Sequence, residues 1–215
     1  MNIAIGALTV ELVDLLLAVE MRLLVIADSH GKKLRAIFER LEPTWTVLVV
    51  ALGRRTDLLS DLYDGRRMEL IRYRPDAVIL HSGHNDIVAH ARHNRVPIGV
   101  RELLPKVMAF RAKLVVNHPM ATVFLSSIYP RTQGAGFSEE QVGIYNRMAQ
   151  RYMESIRSAS NSGGFRRLLN RELWISVKKS KEDIKCFDRG GLHLNAEGRE
   201  IICVAWIAQL KGEAA

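Results

Sequence analysis

A serine and two polar neighbours near the start of the chain could supply either a nucleophile or metal ligands. They lie in the stretch VIADSHGKK, Val25 to Lys33, which begins within a short apolar run. At the end of a strand, Ser29 could present its hydroxyl beside the free backbone N–H groups of a helix N-terminus, which suits attack on a carbonyl. Asp28 and His30 could instead be an Asp-x-His pair of metal ligands. The stretch by itself leaves both chemistries open.

Three further residues could complete a serine site. Gly53 and Asn85 each follow an apolar run, so the N–H groups of Ser29 and Gly53 and the Asn85 side-chain amide could converge as an oxyanion hole. One such donor typically lowers the barrier by about 3 kcal/mol. A general base must also reach the serine, and His193 precedes a predicted helix that Asn195 can cap. These residues predict an acyl-transfer site.

The elements that would hold these residues alternate along the chain. Runs of Val, Ile and Leu predict strands at Arg22 to Ala27, Trp45 to Ala51, Ala77 to His81, Ala121 to Ser127 and, more weakly, Leu173 to Val177. Helices are predicted at Lys32 to Arg40, Asp57 to Arg72, Gly99 to Val116, Ser138 to Ser158 and Asn195 to Leu210. This alternation is typical of an α/β fold with a parallel sheet, in which ligand sites gather at the carboxyl ends of the strands.

The segments between these elements are predicted to be loops. Ile87 to Pro97 and Tyr129 to Phe137 follow the third and fourth strands and should border the site, while Ser158 to Gly164 has the composition of a loop within the domain. His30 is expected to lie against a helix or solvent. The remaining histidines without metal-ligand spacing are expected to be solvated or locally bonded: His81, His90, His93 and His118.

Length and composition indicate one globular domain. The chain has 215 residues, of which 48% are hydrophobic and 25% charged. Residues 1–20 read as an amphipathic helical extension without the basic start of a signal peptide, and 21–215 as the domain. Two cysteines, Cys186 and Cys203, are too few for a disulfide framework and fit a reducing compartment, so a cytoplasmic location is expected. No segment is long and apolar enough to predict a transmembrane span.

The chain is basic, with a formal net charge of +8 at pH 7. A positive surface favours polyanions and anionic membranes, so weak association with either is one expectation. The Lys and Arg residues are scattered and not interleaved with aromatic residues, which favours an ordinary solvated surface.

The motifs together resemble the SGNH, or GDSL-type, hydrolase superfamily over Arg22 to Leu210. Its four blocks are matched in order by Ala27-Asp28-Ser29-His30, Gly53, Gly83-His84-Asn85-Asp86 and His193-Leu194-Asn195 with Gly198. The resemblance implies a three-layer α/β/α sandwich with a mostly parallel five-stranded sheet, similar to flavodoxin. It also implies hydrolysis of a small-molecule or lipid ester by nucleophilic Ser29 and basic His193, supported by Asp28 and Asp86, without a metal or other cofactor.

The motif around the histidine departs from the family pattern. The family carries an aspartate three residues before the histidine, and that position here is Gly190. The nearest acid before the histidine is Asp188, five residues before His193. Either the intervening loop brings Asp188 to the imidazole and completes a triad, or the enzyme works as a Ser29–His193 dyad.

Two alternatives remain beside the ester hydrolase. The Asp28-Ser29-His30 stretch also resembles the opening motif of calcineurin-like metallophosphoesterases, but Gly53-Arg54 stands where those enzymes need a carboxylate that bridges two metals, and an arginine would repel a cation. The second alternative is a weakly active or inactive binding module for anionic lipid or nucleic acid, because similar domains occur in proteins of some LINE-type retrotransposons. Gly190 and the positive charge favour that alternative.

Overall fold

A single five-stranded parallel sheet forms the centre of the protein. The computed structural model describes residues 20–52, 55–92, 100–132, 137–163, 166–168, 170, 186–188 and 193–212. The strands are β1 (Arg22–Ala27), β2 (Thr46–Ala51), β3 (Ala77–His81), β4 (Thr122–Ser126) and β5 (Arg166–Leu168). Their order is β2-β1-β3-β4-β5, with every neighbouring pair parallel. The predicted α/β class and its mostly parallel five-stranded sheet are confirmed.

Helices cover both faces of this sheet. The described part contains α1 (Leu34–Leu41), α2 (Thr56–Gly65), α3 (Arg67–Tyr73), α4 (His84–Arg92), α5 (Val100–Asn117), α6 (Glu139–Gly163) and α7 (Ala196–Gly212). One face packs against α1 and α7, and the other against α2 to α6. Within the described ranges, no helix is both long and apolar enough to cross a membrane.

β1 shows why the apolar runs form buried strands. Its side chains alternate between the two faces, so Leu24 and Ile26 join the core under α2 to α6 while Leu23 and Val25 join the core under α1 and α7. All four are fully buried, and burying such a side chain stabilises the fold by about 1.5–3 kcal/mol. A strand covered on both faces is apolar at every position, which is the pattern that the sequence displays.

The strand order reverses between β1 and β3. From β1 the chain crosses to β2 on one side of the sheet and then returns to form β3 on the other side. Ligands of open α/β sheets bind at such a switch point, in the crevice beyond the carboxyl ends of the strands. The ends of β1 and β3 lie side by side there, with Ala27 paired to His81.

The helix predicted at Asp57 to Arg72 is two helices. Arg66, with φ −111° and ψ 7°, interrupts it and separates α2 from α3. The preceding Gly65 favours a helix end because glycine loses more conformational entropy in a helix than other residues do.

The loop predicted at Ser158 to Gly164 is wrong over most of its length, since α6 continues to Gly163. The Arg167 guanidinium of β5 donates hydrogen bonds to the Arg157 carbonyl at 3.2 Å and to the Asn161 side-chain oxygen at 2.9 Å. These bonds join β5 to the last turns of α6, so a contact with the next strand helps to extend the helix through residues of weak helical propensity.

The segment predicted as a loop at Ile87 to Pro97 is helical through Arg92, as part of α4. The Ile87 side chain is buried in the core, and its N–H donates to the Gly83 carbonyl at 3.1 Å. Packing of this side chain outweighs the weak helical signal of the short polar sequence. Residues 93–97 lie outside the described residues.

The fifth strand also differs from the predicted one. β5 is Arg166–Leu168, whereas Leu173 to Val177 lies outside the described residues. β5 is short and lies at the edge of the sheet, and only Leu168 of its three residues is buried. A strand with two arginines and one buried side chain gives no apolar run to recognise. The predicted extension lies outside the described residues up to residue 19.

Candidate active site

Ser29 begins a tight 3-10 turn, Ser29–Gly31, directly after β1. Asp28 holds this turn, because its Oδ1 accepts the His30 N–H at 3.1 Å and its carbonyl accepts the Gly31 N–H at 3.0 Å. The Asp28 N–H in turn donates to the His81 carbonyl at 3.1 Å, which continues the pairing of β1 with β3. Ser29 therefore stands, half-buried, at the carboxyl end of a central strand.

The end of β3 carries the second group of candidate residues. Gly83 has a φ of +110°, a conformation that L side chains rarely adopt, and a Cβ there would lie 2.9 Å from Ile128 Cδ1. This turn starts α4 at His84 and places Asn85 in its first turn. Since β1 and β3 are neighbours, Asn85 and Ser29 follow adjacent strand ends.

Asp86 links α4 to α2. Its Oδ2 accepts the Thr56 N–H and the Thr56 hydroxyl, both at 2.9 Å. Burial raises the pKa of Asp86, and the two hydrogen bonds from Thr56 oppose that rise. The N-terminus of α2 comes directly after residues 53 and 54, and this contact fixes the start of that helix. Gly53 and Arg54 lie outside the described residues, and the predicted role of Gly53 in an oxyanion hole stays a prediction.

His193 lies on a short ladder before α7. Phe187 and Leu194 form an antiparallel bridge, and the Asp188 N–H donates to the His193 carbonyl at 2.8 Å. Asn195 ties this ladder to the helix, because its Oδ1 accepts the Gly198 N–H at 3.0 Å as an N-cap. The constrained segment brings the His193 ring within 4.8 Å of the His30 ring, between centroids, and thus to the Ser29 turn.

Asp188 contacts His193 through the backbone. Its Oδ1 accepts the His193 backbone N–H at 3.4 Å, a long hydrogen bond. This carboxylate therefore helps to shape the segment that bears the histidine. The imidazole itself packs on the His30 ring, with an interplanar angle of 45°.

Three buried histidines form a cluster that the sequence analysis did not anticipate. His30 lies within the Ser29 turn, and His81 and His84 lie beside it. The ring centroids of His30 and His84 are 4.3 Å apart, and those of His84 and His81 are 4.7 Å apart. All three side chains are at least 95% buried. Of the two positions expected for His30, against a helix or in solvent, the structure has the first, since its ring packs on His84 of α4 and its Nδ1 is hydrogen-bonded to the hydroxyl of buried Tyr129. His81 is locally bonded, to Ser126 Oγ at 2.8 Å, and not solvated.

Burial keeps these imidazoles neutral near neutral pH. Desolvation lowers the pKa of His81 to about 3 and is also the largest cause that lowers the pKa values of His30 and His84 well below 6.5. The His84 Nδ1 lies 3.3 Å from Asp28 Oδ2, a distance that would suit an ion pair. Because burial dominates, we treat this contact as one between a neutral imidazole and a carboxylate.

A signal for the histidine cluster was present in the sequence. His81 is the last residue of β3 and His84 is the first of α4. The rule that placed Asn85 at the sheet edge places both of these histidines there too. His118 meets its expectation of a local bond, since its Nε2 lies 3.0 Å from the Tyr63 hydroxyl.

Comparison of the sequence with protein-family models and with curated proteins gives no match. Solved structures do match the fold. A GDSL-like lipase from Bacteroides thetaiotaomicron has a TM-score of 0.64 at 14% identity, covering 91% of this chain and 89% of its own. An acetyl xylan esterase has a TM-score of 0.65 at 17% identity, and the alignment covers 87% of this chain and 98% of that structure. A member of the lipolytic G-D-S-L family from Veillonella parvula has a TM-score of 0.66 at 10% identity, and the alignment covers 87% of this chain and 96% of that structure.

The chain therefore has the α/β fold of the SGNH, or GDSL-type, hydrolase superfamily, as its motifs predicted. The likeness extends over nearly the whole described domain and over nearly the whole length of each of these structures.

Proposed function

We propose that the protein is a serine hydrolase that cleaves an acyl ester. Ser29 attacks the ester carbonyl, and His193 takes the serine proton and then donates it to the leaving alcohol. The Ser29 N–H, Gly53 and Asn85 stabilise the oxyanion, while Asp28 and Asp86 hold the two turns that carry these donors. Water then repeats the sequence of steps on the acyl-enzyme and releases the acid.

The observation that carries this proposal is the approach of His193 to the Ser29 turn. These residues are separated by 164 positions, yet the His193 ring packs against His30, the residue next to Ser29. Asn85 follows the adjacent strand end and can face the same crevice. A nucleophile, a base and an amide donor at one switch point are the parts that acyl transfer requires.

The catalytic base works in a dyad with Ser29 under this proposal. The acid at Asp188 is engaged with the backbone of His193, so it positions the segment and supports the base indirectly. The packing of the His193 ring on His30 restricts its orientation, which is one part of the aspartate's task in triads; the other part is to stabilise the imidazolium. A short acyl group on an alcohol or sugar is the substrate class that the esterase and lipase neighbours suggest.

Labelling with a serine-directed fluorophosphonate tests the assignment directly. Wild type should be labelled at Ser29 and should hydrolyse short-chain aryl esters, while Ser29→Ala should show neither property. Ser60→Ala is the matched control, because Ser60 lies on α2 and bonds Lys113 at 2.8 Å, away from the site. If Ser29→Ala hydrolyses as fast as wild type, the proposal is wrong.

A second candidate function is a binding module with little turnover. The observation that favours it is the replacement of the family aspartate by Gly190, together with the net charge of +8. This candidate predicts salt-sensitive binding to RNA or anionic vesicles and no fluorophosphonate labelling. Absence of binding at low salt would eliminate it.

A further inference from the structure

A second polar site lies beneath the Ser29 turn, where β1 and β3 end. Asp28, His81 and His84 each direct one ligand atom into it, and these three atoms lie within 4.8 Å of one another. All three side chains are at least 99% buried. The site uses none of the groups that perform the proposed ester hydrolysis, although Asp28 holds the turn that begins with Ser29.

One polar atom of each of these three residues also lacks a hydrogen bond. Within the described part of the chain, Asp28 Oδ2, His81 Nε2 and His84 Nδ1 make no hydrogen bond. Buried polar atoms without partners are rare because burial removes their hydrogen bonds to water. Three such atoms on residues whose ligand atoms converge, one of them from a carboxylate, form a donor set that a cation would satisfy.

The opposite atom of His81 is held by a hydrogen bond that fixes its tautomer. Its Nδ1 lies 2.8 Å from Ser126 Oγ. The Ser126 hydroxyl donates its own proton to the Ser127 carbonyl at 3.1 Å, so it accepts from Nδ1–H of His81. Nε2 of His81 therefore presents a lone pair to the site. Metal-binding histidines characteristically donate their second N–H to such an outer partner.

Asp28 is held in the same way. Its Oδ1 accepts the His30 N–H at 3.1 Å, which leaves Oδ2 directed toward His84. Oδ2 and His84 Nδ1 are 3.3 Å apart, and two ligands of a tetrahedral zinc ion with bonds of about 2.0–2.2 Å are separated by about 3.3 Å. His84 binds as the tautomer with its proton on Nε2, and it then gives up a long contact of 3.4 Å with the Tyr129 N–H.

We propose that Asp28, His81 and His84 bind one divalent transition-metal ion of the zinc type. Two neutral imidazoles and one carboxylate match the ligand preference of Zn²⁺, and their shared site differs from the Asp28–His30 pair of the metallophosphoesterase interpretation. The ion joins the Ser29 turn to the end of β3 and the start of α4, so its role is structural. The resemblance to the SGNH superfamily implied no metal. The proposed ion contradicts that expectation, and the basis is the arrangement of these three residues.

Metal binding is tested on the full chain after treatment with a chelator. Wild type should bind one equivalent of Zn²⁺ in a competition titration, and Co²⁺ should give the absorption of a nitrogen- and oxygen-ligated tetrahedral ion. Zn²⁺ should also raise its melting temperature. His81→Gln and His84→Gln should each lose stoichiometric binding and the rise in melting temperature.

A more conservative variant protects this test against misfolding. Ser126→Ala keeps all three ligands but removes the partner of His81 Nδ1, and its affinity should fall by about 10- to 100-fold. Three controls should bind as wild type does: Ser29→Ala, His118→Gln, and the double variant Cys186→Ser with Cys203→Ala, which removes the thiols. Absence of one-equivalent binding in wild type, or equal binding by His81→Gln, His84→Gln and Ser126→Ala, would overturn the proposal.

Discussion

The carboxylate of Asp188 accepts a hydrogen bond from the backbone N–H of His193 at 3.4 Å. The same two residues are joined a second time, by the Asp188 N–H and the His193 carbonyl at 2.8 Å. The nearest acid that precedes the candidate base thus contacts its backbone. In a Ser-His-Asp triad, by comparison, the acid holds the imidazole itself.

Asp188→Asn should therefore lower kcat by less than about ten-fold, whereas loss of the orienting acid in serine proteases costs about 10⁴-fold. The amide oxygen can still accept the His193 N–H, so the segment keeps its shape. Steady-state kinetics with an aryl ester measure the effect. A fall of a thousand-fold or more would show that Asp188 serves as a triad acid.

Gly190→Asp should raise kcat, because it restores the acid that the family places three residues before the histidine. The gain should exceed about ten-fold, within the range of about 10⁴ that an orienting acid can supply. Gly65→Asp is the control for an added carboxylate, since nothing lies within 4 Å of a Cβ at Gly65. An unchanged kcat in Gly190→Asp would mean that His193 is already well oriented without an acid.

His30 and Tyr129 should be energetically coupled. His30→Leu leaves the buried Tyr129 hydroxyl without its histidine partner, and Tyr129→Phe leaves His30 without the hydroxyl. Each single variant should lose about 1–3 kcal/mol of unfolding free energy. The double variant should lose less than the sum, which urea denaturation of all four proteins will measure. Strict additivity would contradict this coupling.

Thr56→Val should destabilise the contact between α2 and α4. Valine keeps the backbone N–H that Asp86 accepts but removes the hydroxyl at 2.9 Å, at a cost of about 1.5–3 kcal/mol for a bond to a charged group. That bond opposes the larger rise that burial causes in the pKa of Asp86, so its stabilisation is present while Asp86 is ionised and is lost as pH falls through the raised pKa of the folded protein. Denaturation of wild type and Thr56→Val at pH 7 and near pH 4 should show the smaller difference in unfolding free energy at pH 4. A pH-independent difference would mean that Asp86 keeps its charge throughout.

Gly198→Ala should strongly destabilise the junction of α7 with the histidine-bearing segment. A Cβ at this position would lie 2.1 Å from the Cys186 carbonyl oxygen, which is backbone and cannot simply rotate away. Gly65→Ala is the matched control in another helix and should be neutral or stabilising by up to about 1 kcal/mol. Thermal melts and ester hydrolysis should both decline in Gly198→Ala alone. Equal melts for the two variants would show that the segment can shift to accept a side chain.

The sequence by itself determined four strands of the sheet and the edge at which Ser29 and Asn85 lie. Four strands were recognisable because a strand buried on both faces must be apolar at every position, as β1 is. Once the strands are parallel, residues that follow them share one edge, so Ser29 and Asn85 could be assigned to the same crevice. β5 was not recognised, because an edge strand with two arginines and one buried side chain has no apolar run.

Tertiary structure alone decided which side chains meet at that edge. The proximity of His30, His81, His84 and Tyr129 depends on strand order and on the register of β1 with β3, neither of which leaves a local pattern in the sequence. Their burial, which fixes their protonation, depends in turn on the helices packed over the strand ends. The contact of Asp188 with the His193 backbone arises in the same way. It depends on the path of a short ladder, and sequence spacing does not specify that path.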